Sequence, residues 1–323
     1  MRVNRPEPVG AMPPADPLAS VSFKQPWPNS SWRYRARVRD SQTLMADPDR
    51  LPQDPLLRWV GSKRASLARL LPVLAPFKGT YFEPFMGGGA VFFGLGPSSA
   101  VLGDANDDLM NVYQQLAAAA QEVALCLSRL VKEVPDYYDA RTLYASATDP
   151  IDRAALLIYL NNTCFNGLYR TNRKNVFNVP KGTRPGNVPS RQRLLRIGQA
   201  LRGATLISGD FAGTVKGAVA GDVVYLDPPY PSNRRTDGEY GYVQWGDPAL
   251  QRLLETVDAL TDEGVAVVMS YSAGAPILEA RSTLTRLSTH AIRHQVAARN
   301  SHRRASDECI YVNSLATDLC ESA

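Results

Sequence analysis

Cysteine, histidine and long apolar runs are what this 323-residue chain has least of. Its four cysteines, Cys126, Cys164, Cys309 and Cys320, lie far apart and form no Cys-x-x-Cys pair. That argues against a disulfide framework and against a zinc site, and it fits a reducing cytoplasm. The three histidines crowd between His290 and His302 with no partner at metal-ligand spacing, so no metal is expected. No apolar run approaches the roughly 20 residues that span a bilayer, and no membrane partner is expected. The Pro- and Arg-rich N-terminus has no apolar signal core, which predicts a cytoplasmic protein. Acidic residues are missing from two stretches. Asn161 to Gly209 holds nine Lys or Arg and no Asp or Glu, and Arg281 to Ser306 holds six arginines and no acid. With a net charge of +5, these blocks mark either a polyanion-binding surface or a solvated basic face.

What is present is enough for a core, at 44% hydrophobic residues, and for one large α/β domain with a smaller insertion. Residues 1–54 read as a disordered Pro/Arg-rich leader. In it Arg33, Arg35, Arg37 and Arg39 alternate with other residues, as in a flexible tail or a DNA-clinging arm. Beyond it, helices are expected over Ser66–Leu74, Asp107–Leu130, Ile151–Leu160 and Leu250–Leu260. Short apolar strands are expected over Thr80–Phe85, Ala100–Gly103, Thr205–Ser208, Asp222–Leu226 and Val265–Ser270, with Glu308–Asn313 closing the sheet. The alternation predicts an α/β fold with a doubly wound, mostly parallel sheet. Asp104, Asp210 and Asp227 each follow a strand, so they should converge on the crevice beyond the strands' carboxyl ends.

Three motifs carry the chemistry. In Phe82-Glu-Pro-Phe-Met-Gly-Gly-Gly89, glycines directly after a strand permit a tight turn and close approach of a ligand, though a structural turn explains them equally. Asp104, about twenty residues on, suits the two hydroxyls of a ribose, or alternatively caps the next helix. Asp227-Pro-Pro-Tyr230 is the sharpest. An exocyclic aryl amine is a poor nucleophile because its lone pair is delocalised. A carboxylate and a fixed backbone carbonyl accepting its two N–H bonds would favour a pyramidal nitrogen. Pro228 and Pro229 would fix that carbonyl, and Tyr230 would offer a face to an extruded base.

In this order the motifs resemble those of the Dam-type adenine-N6 DNA methyltransferases, with the recognition region between the glycine motif and DPPY. The matching segments are Arg58-Trp-Val-Gly-Ser-Lys63, the glycine motif, Asp104-Ala-Asn106, Tyr159-Leu-Asn-Asn-Thr-Cys-Phe-Asn-Gly-Leu-Tyr-Arg170 continuing to Phe177-Asn-Val-Pro180, and DPPY. The resemblance implies a Rossmann-like methyltransferase fold with an inserted, largely helical target-recognition domain. The catalytic domain would comprise 55–115 and 205–323, and the insertion 116–204. It implies S-adenosylmethionine as cofactor, held by Trp59, Lys63, Glu83, Phe85, Gly87, Asp104, Asp210, Phe211 and Asp227. Lys63 would lie near the cofactor's carboxylate, and Asp210 and Phe211 would bracket its adenine. Asp227, Pro228, Pro229 and Tyr230 would be catalytic. Double-stranded DNA would be the partner, contacted by Arg58, Asn166, Leu168, Arg170, Lys174 and Arg303. Arg170 suits bidentate readout of guanine, as in GATC or another guanine-containing site. Asn300, Arg303 and Arg304 would form a second DNA-facing loop. A cognate restriction endonuclease is a candidate companion. Two departures stand out: Gly-Ser-Lys replaces Gly-Gly-Lys, and Arg184–Arg202 matches no family pattern. The same chemistry would serve RNA adenine or cytosine N4, and an inactive DNA-binding relative is the alternative from another class.

Overall fold

The computed structural model describes residues 56–75, 77–134, 136–183, 186–230, 245–273, 275–279, 282–293 and 305–321. The leader at 1–54 and Asn300, Arg303 and Arg304 lie outside the described residues. Among those described, seven strands make one sheet: β1 (Tyr81–Glu83), β2 (Ala100–Asp104), β3 (Ala204–Ser208), β4 (Val223–Leu226), β5 (Ala266–Ser272), β6 (Thr285–Arg293) and β7 (Ala305–Val312). Their order is β3-β2-β1-β4-β5-β7-β6. The first five run parallel, and β7 runs antiparallel between β5 and β6. The doubly wound α/β fold expected from the sequence is therefore the observed one.

Strand residues serve two cores in alternation, as a period of two requires. Tyr81, Tyr225, Val268 and Ile310 pack on one face with the long helices, while Phe82, Val224, Val267 and Tyr311 pack on the other with the helix Asp247–Asp262. That double burial explains why β4 reads as a continuous apolar run, Val-Val-Tyr-Leu.

The helices are α1 (Leu67–Leu74), α2 (Ala90–Leu95), α3 (Asp107–Glu133), α4 (Tyr137–Ser146), α5 (Pro150–Thr163), α6 (Arg191–Ala200), α7 (Phe211–Val215), α8 (Asp247–Asp262), α9 (Pro276–Glu279) and α10 (Ser314–Glu321). Their starts are written in the sequence. Asn106 accepts from Leu109 N at 2.9 Å to open α3, with Asp107 and Asp108 in its positive first turn. Asp149 caps α5, with Pro150 at its first position.

Three expectations shift. The β1 ladder is three residues long, because Pro84 has no N–H to extend it. The proposed boundary between 115 and 116 lies inside α3, which breaks at Ala119 (φ −147°, ψ 44°) while both halves pack into one core. The unplaced Arg184–Arg202 stretch contains α6, capped by Ser190, with Leu194 and Ile197 buried and Gly198 close against the Leu116 carbonyl of α3. No helix among the described residues is long and apolar enough to cross a membrane.

Candidate active site

Strand order reverses between β1 and β4, and the polar residues ending the parallel strands meet at that switch point. Glu83 ends β1, Asp104 ends β2, Asp210 follows β3 and Asp227 follows β4.

The glycine motif is folded around the first two acids. Gly87 N donates to Asp104 Oδ2 at 2.9 Å, and Asn106 N donates to Oδ1 at 3.0 Å. Because Asn106 caps α3, Asp104 ties the glycine loop to β2 and is not the helix cap. Met86 N bonds to Gly103 O, and the Tyr113 hydroxyl of α3 donates to Gly87 O at 3.1 Å. Gly87 (φ +48°) lies against Trp59, where a Cβ would stand 3.1 Å from the indole Cδ1. The position therefore needs glycine both for its backbone angle and for the close approach. Burial pushes the Asp104 carboxyl up to about 6, against the backbone N–H bonds of Gly87, Asn106 and Ala105 that oppose it. Glu83 is fully inside, taking Tyr81 Oη at 2.9 Å and Phe92 N at 3.1 Å on the same oxygen. Burial raises it to about 8, so it is protonated at neutral pH.

An aromatic wall faces these acids. Phe85 stacks on Phe211 with centroids 5.6 Å apart, and Trp245 meets both edgewise at 5.5 and 6.1 Å. The Arg252 guanidinium covers the Phe211 ring and pairs with the half-exposed Asp210. Sequence reasoning missed Trp245 and Arg252, which come from beyond DPPY and carry no local motif.

Asp227 sits in a charge cluster. Its Oδ1 is 2.6 Å from Lys63 Nζ, and among the described residues its Oδ2 has no hydrogen-bond partner. Lys63 also lies 3.3 Å from Glu308 Oε1 on β7 and donates to Gly61 O. Burial alone would lower the lysine's pKa, but Asp227 and Glu308 outweigh it and hold it raised. Lys63 was expected at the cofactor's carboxylate, and the structure places it on Asp227. Asp227 is pushed up to about 6, first by burial, which Lys63 opposes and Glu308 assists. Tyr230 is held rather than free. Its hydroxyl donates to Glu308 Oε1 at 2.6 Å, and its ring leans on Tyr271 with centroids 5.2 Å apart. Pro228 is buried and Pro229 half-buried between them. Glu308 is the functional residue that sequence reasoning passed over. The available signal was a carboxylate inside an apolar strand, Glu-Cys-Ile-Tyr-Val312, which needs buried partners.

The Arg58-Trp59 segment joins this crevice to the basic region. Trp59 packs on Tyr169 at 5.0 Å. The buried Asn161 accepts from Arg58 N at 2.8 Å and donates to Arg58 O and Gly167 O, both at 3.1 Å. The Arg58 stem lies across Gly167 (φ +65°), beside Asn166 (φ +56°). From there residues 170–178 form a hairpin: Thr171 bridges Phe177, and Asn172 N bonds to Val176 O. Arg173, Lys174, Asn175 and Val176 stand exposed at its tip. Arg170 is braced at its base, Nε to Asn178 Oδ1 at 2.8 Å. Leu168 is buried at 6% exposure in the core behind the hairpin. Arg303 lies outside the described residues. No cluster of His, Cys, Asp or Glu among the described residues is arranged to hold a metal.

Comparison with known proteins supplies the class. Residues 59–303 match the model of the D12 class of N6 adenine-specific DNA methyltransferases. A type II methyltransferase of Lactococcus lactis subsp. cremoris is 34% identical over 236 residues, 70% of this chain and 83% of that protein. A type II methyltransferase of Methanocaldococcus jannaschii is 31% identical, covering 68% of this chain and 84% of that one. A DNA adenine methylase of Salmonella typhi is 28% identical over 79% of this chain and 93% of its own.

Proposed function

Because the chain belongs to the D12 class of N6 adenine-specific DNA methyltransferases, we propose that it takes S-adenosylmethionine as donor and modifies an adenine turned out of a short guanine-containing duplex site. It is an adenine-specific DNA methyltransferase, which sets aside the RNA, cytosine-N4 and inactive-relative alternatives. The observation that carries the finer reading is Asp227: a carboxylate only 16% exposed, with one oxygen on Lys63 and Oδ2 unpartnered among the described residues, at the sheet's switch point.

The residues fit the donor. Asp104 is held by backbone N–H groups where a ribose diol would bind, and the glycine turn admits no Cβ. The packed Phe85–Phe211 pair offers an aromatic surface for an adenine, with Asp210 beside it. Bound there, S-adenosylmethionine supplies an electrophilic methyl group on a sulfonium. Asp227 Oδ2 and the Pro228 carbonyl accept the two N–H bonds of the target amine and turn its lone pair out of the ring. That requires ionised Asp227, and it requires in-line placement rather than a strong base. Tyr230 forms the wall against which the extruded base rests.

On the DNA side, Arg58, Asn166 and Arg170 border the pinned segment, and Lys174 is carried to the hairpin tip. This favours 116–204 as the target-reading part, with Arg170 reading a guanine, in GATC or a related site. A cognate endonuclease is a candidate companion, as the names of the type II relatives suggest. The test is to incubate unmethylated genomic DNA with enzyme and donor and map the modified bases. N6-methyladenine within one short guanine-containing motif is the expected result. Adenine methylation without sequence preference would refute the recognition reading.

A further inference from the structure

Glu308 is a buried carboxylate with every acceptor position used. Oε1 takes Tyr230 Oη at 2.6 Å and stands 3.3 Å from Lys63 Nζ. Oε2 takes Ser66 Oγ at 2.7 Å and stands 3.2 Å from His290 Nε2. These donors come from three segments: the 3-10 turn Lys63–Ser66 before α1, the DPPY loop and β6. Burial opposes its charge, but Lys63, Tyr230 and Ser66 together keep its pKa below the ordinary value.

One lysine thus faces two carboxylates inside the protein, Asp227 at 2.6 Å and Glu308 at 3.3 Å. Were Lys63 shared with Asp227 alone, the pair would be a closed neutral ion pair, strongest where water is excluded. A second anion leaves the cluster with negative charge to spare. We propose that Glu308 is a positioning residue for methyl transfer: by sharing Lys63 and anchoring Tyr230, it keeps Asp227 available to the target amine. It also supplies the excess negative charge that the amine needs as it becomes cationic on taking the methyl group. This rests on the reading that Asp227 accepts the amine. A preorganised anion that needs no rearrangement during reaction is the efficient form of such stabilisation.

The consequence is a pair of opposite effects. Removing the Glu308 charge concentrates Lys63 on Asp227, which draws the carboxylate away from the amine and lowers its pKa. Lys63, Tyr230, Tyr225, Tyr81, Glu83, His290 and Ser66 are the other groups facing this pair and are unchanged by the substitution. The experiment is the single-turnover rate of methyl transfer to unmethylated duplex DNA against pH, for wild type, Glu308→Gln and Glu308→Asp. Glu308→Gln should slow transfer at least tenfold at pH 8, leave the dissociation constant of S-adenosylmethionine within about twofold, and move the acid limb to lower pH. Glu308→Asp, which keeps the charge, should hold the limb at its wild-type position and recover part of the rate. A merely structural residue would lower activity without making it more acid-tolerant. An unmoved limb in Glu308→Gln, or a rate within twofold of wild type, overturns the proposal. Should Glu308→Gln not fold, Glu308→Asp decides: a displaced limb, or a rate as low as that of Asp227→Ala, overturns it. Absence of transfer by the wild type would instead strike the reading of Asp227 itself.

Discussion

If Asp227 accepts the target amine as proposed, its surroundings set the working pH range. Burial raises its carboxyl to about 6, so methyl transfer should fall as pH drops through about 6 and the amine acceptor takes a proton. Asp227→Ala should abolish transfer while the donor still binds measurably, since Asp104, Phe85 and Phe211 remain; transfer and equilibrium binding assays on the same preparation check both. Glu83 behaves oppositely as a stability group. Its folded value of about 8 lies above the ordinary 4.5, so the native state holds a proton the unfolded chain releases. Its contribution is complete at acid pH and is lost as pH rises towards about 8. Glu83→Gln mimics the protonated acid and keeps an acceptor for Tyr81 and Phe92. Thermal melts at several pH values should show wild type losing stability relative to Glu83→Gln between about pH 4.5 and 8.

The segment from α5 to the hairpin is the element to which the proposed recognition reading assigns target choice. Asn161 holds it with three hydrogen bonds to Arg58 and Gly167, all inside the protein. Asn161→Ala leaves buried backbone groups unpaired and should cost about 1–3 kcal/mol in chemical denaturation. Arg170→Ala should cost about 1–3 kcal/mol of discrimination at one base, read as relaxed methylation in mapped DNA. Lys174→Ala, at the exposed tip, should weaken binding to all duplexes alike and reduce the salt slope by about one. At this scale the sequence was partly legible. The apolar spacing over Asp107–Leu130 and Ile151–Leu160 marked α3 and α5, whose starts the structure sets at the caps Asn106 and Asp149. α6 was missed although Ser190 and the spacing of Leu194, Ile197 and Leu201 were there, because the arginines between them mask the apolar stripe. Leu168 was set on the DNA side by the resemblance alone, and no local pattern in the sequence marks the burial of its side chain.

For the whole molecule, the doubly wound sheet was readable because the parallel strands are short and mostly apolar, and four of them run into an acid at or just beyond their ends, Glu83, Asp104, Asp210 and Asp227. The crevice followed from the same fact, since strands in one parallel sheet end on one side. What the sequence hid were the partners that reach the crevice from distant positions: Glu308 from β7, Trp245 and Arg252 from around α8, and the sharing of Lys63 between Glu308 and Asp227. No local pattern reports a contact across 242 residues such as Ser66 to Glu308. The basic surface spread over 161–209 belongs to this scale too, and predicts that DNA affinity falls steeply with added salt. The most direct test of the account is nucleoside mass spectrometry of unmethylated duplex DNA treated with S-adenosylmethionine and either wild type or Asp227→Ala. N6-methyladenine with wild type and none with Asp227→Ala is the result predicted. Equal N6-methyladenine with both proteins would contradict it.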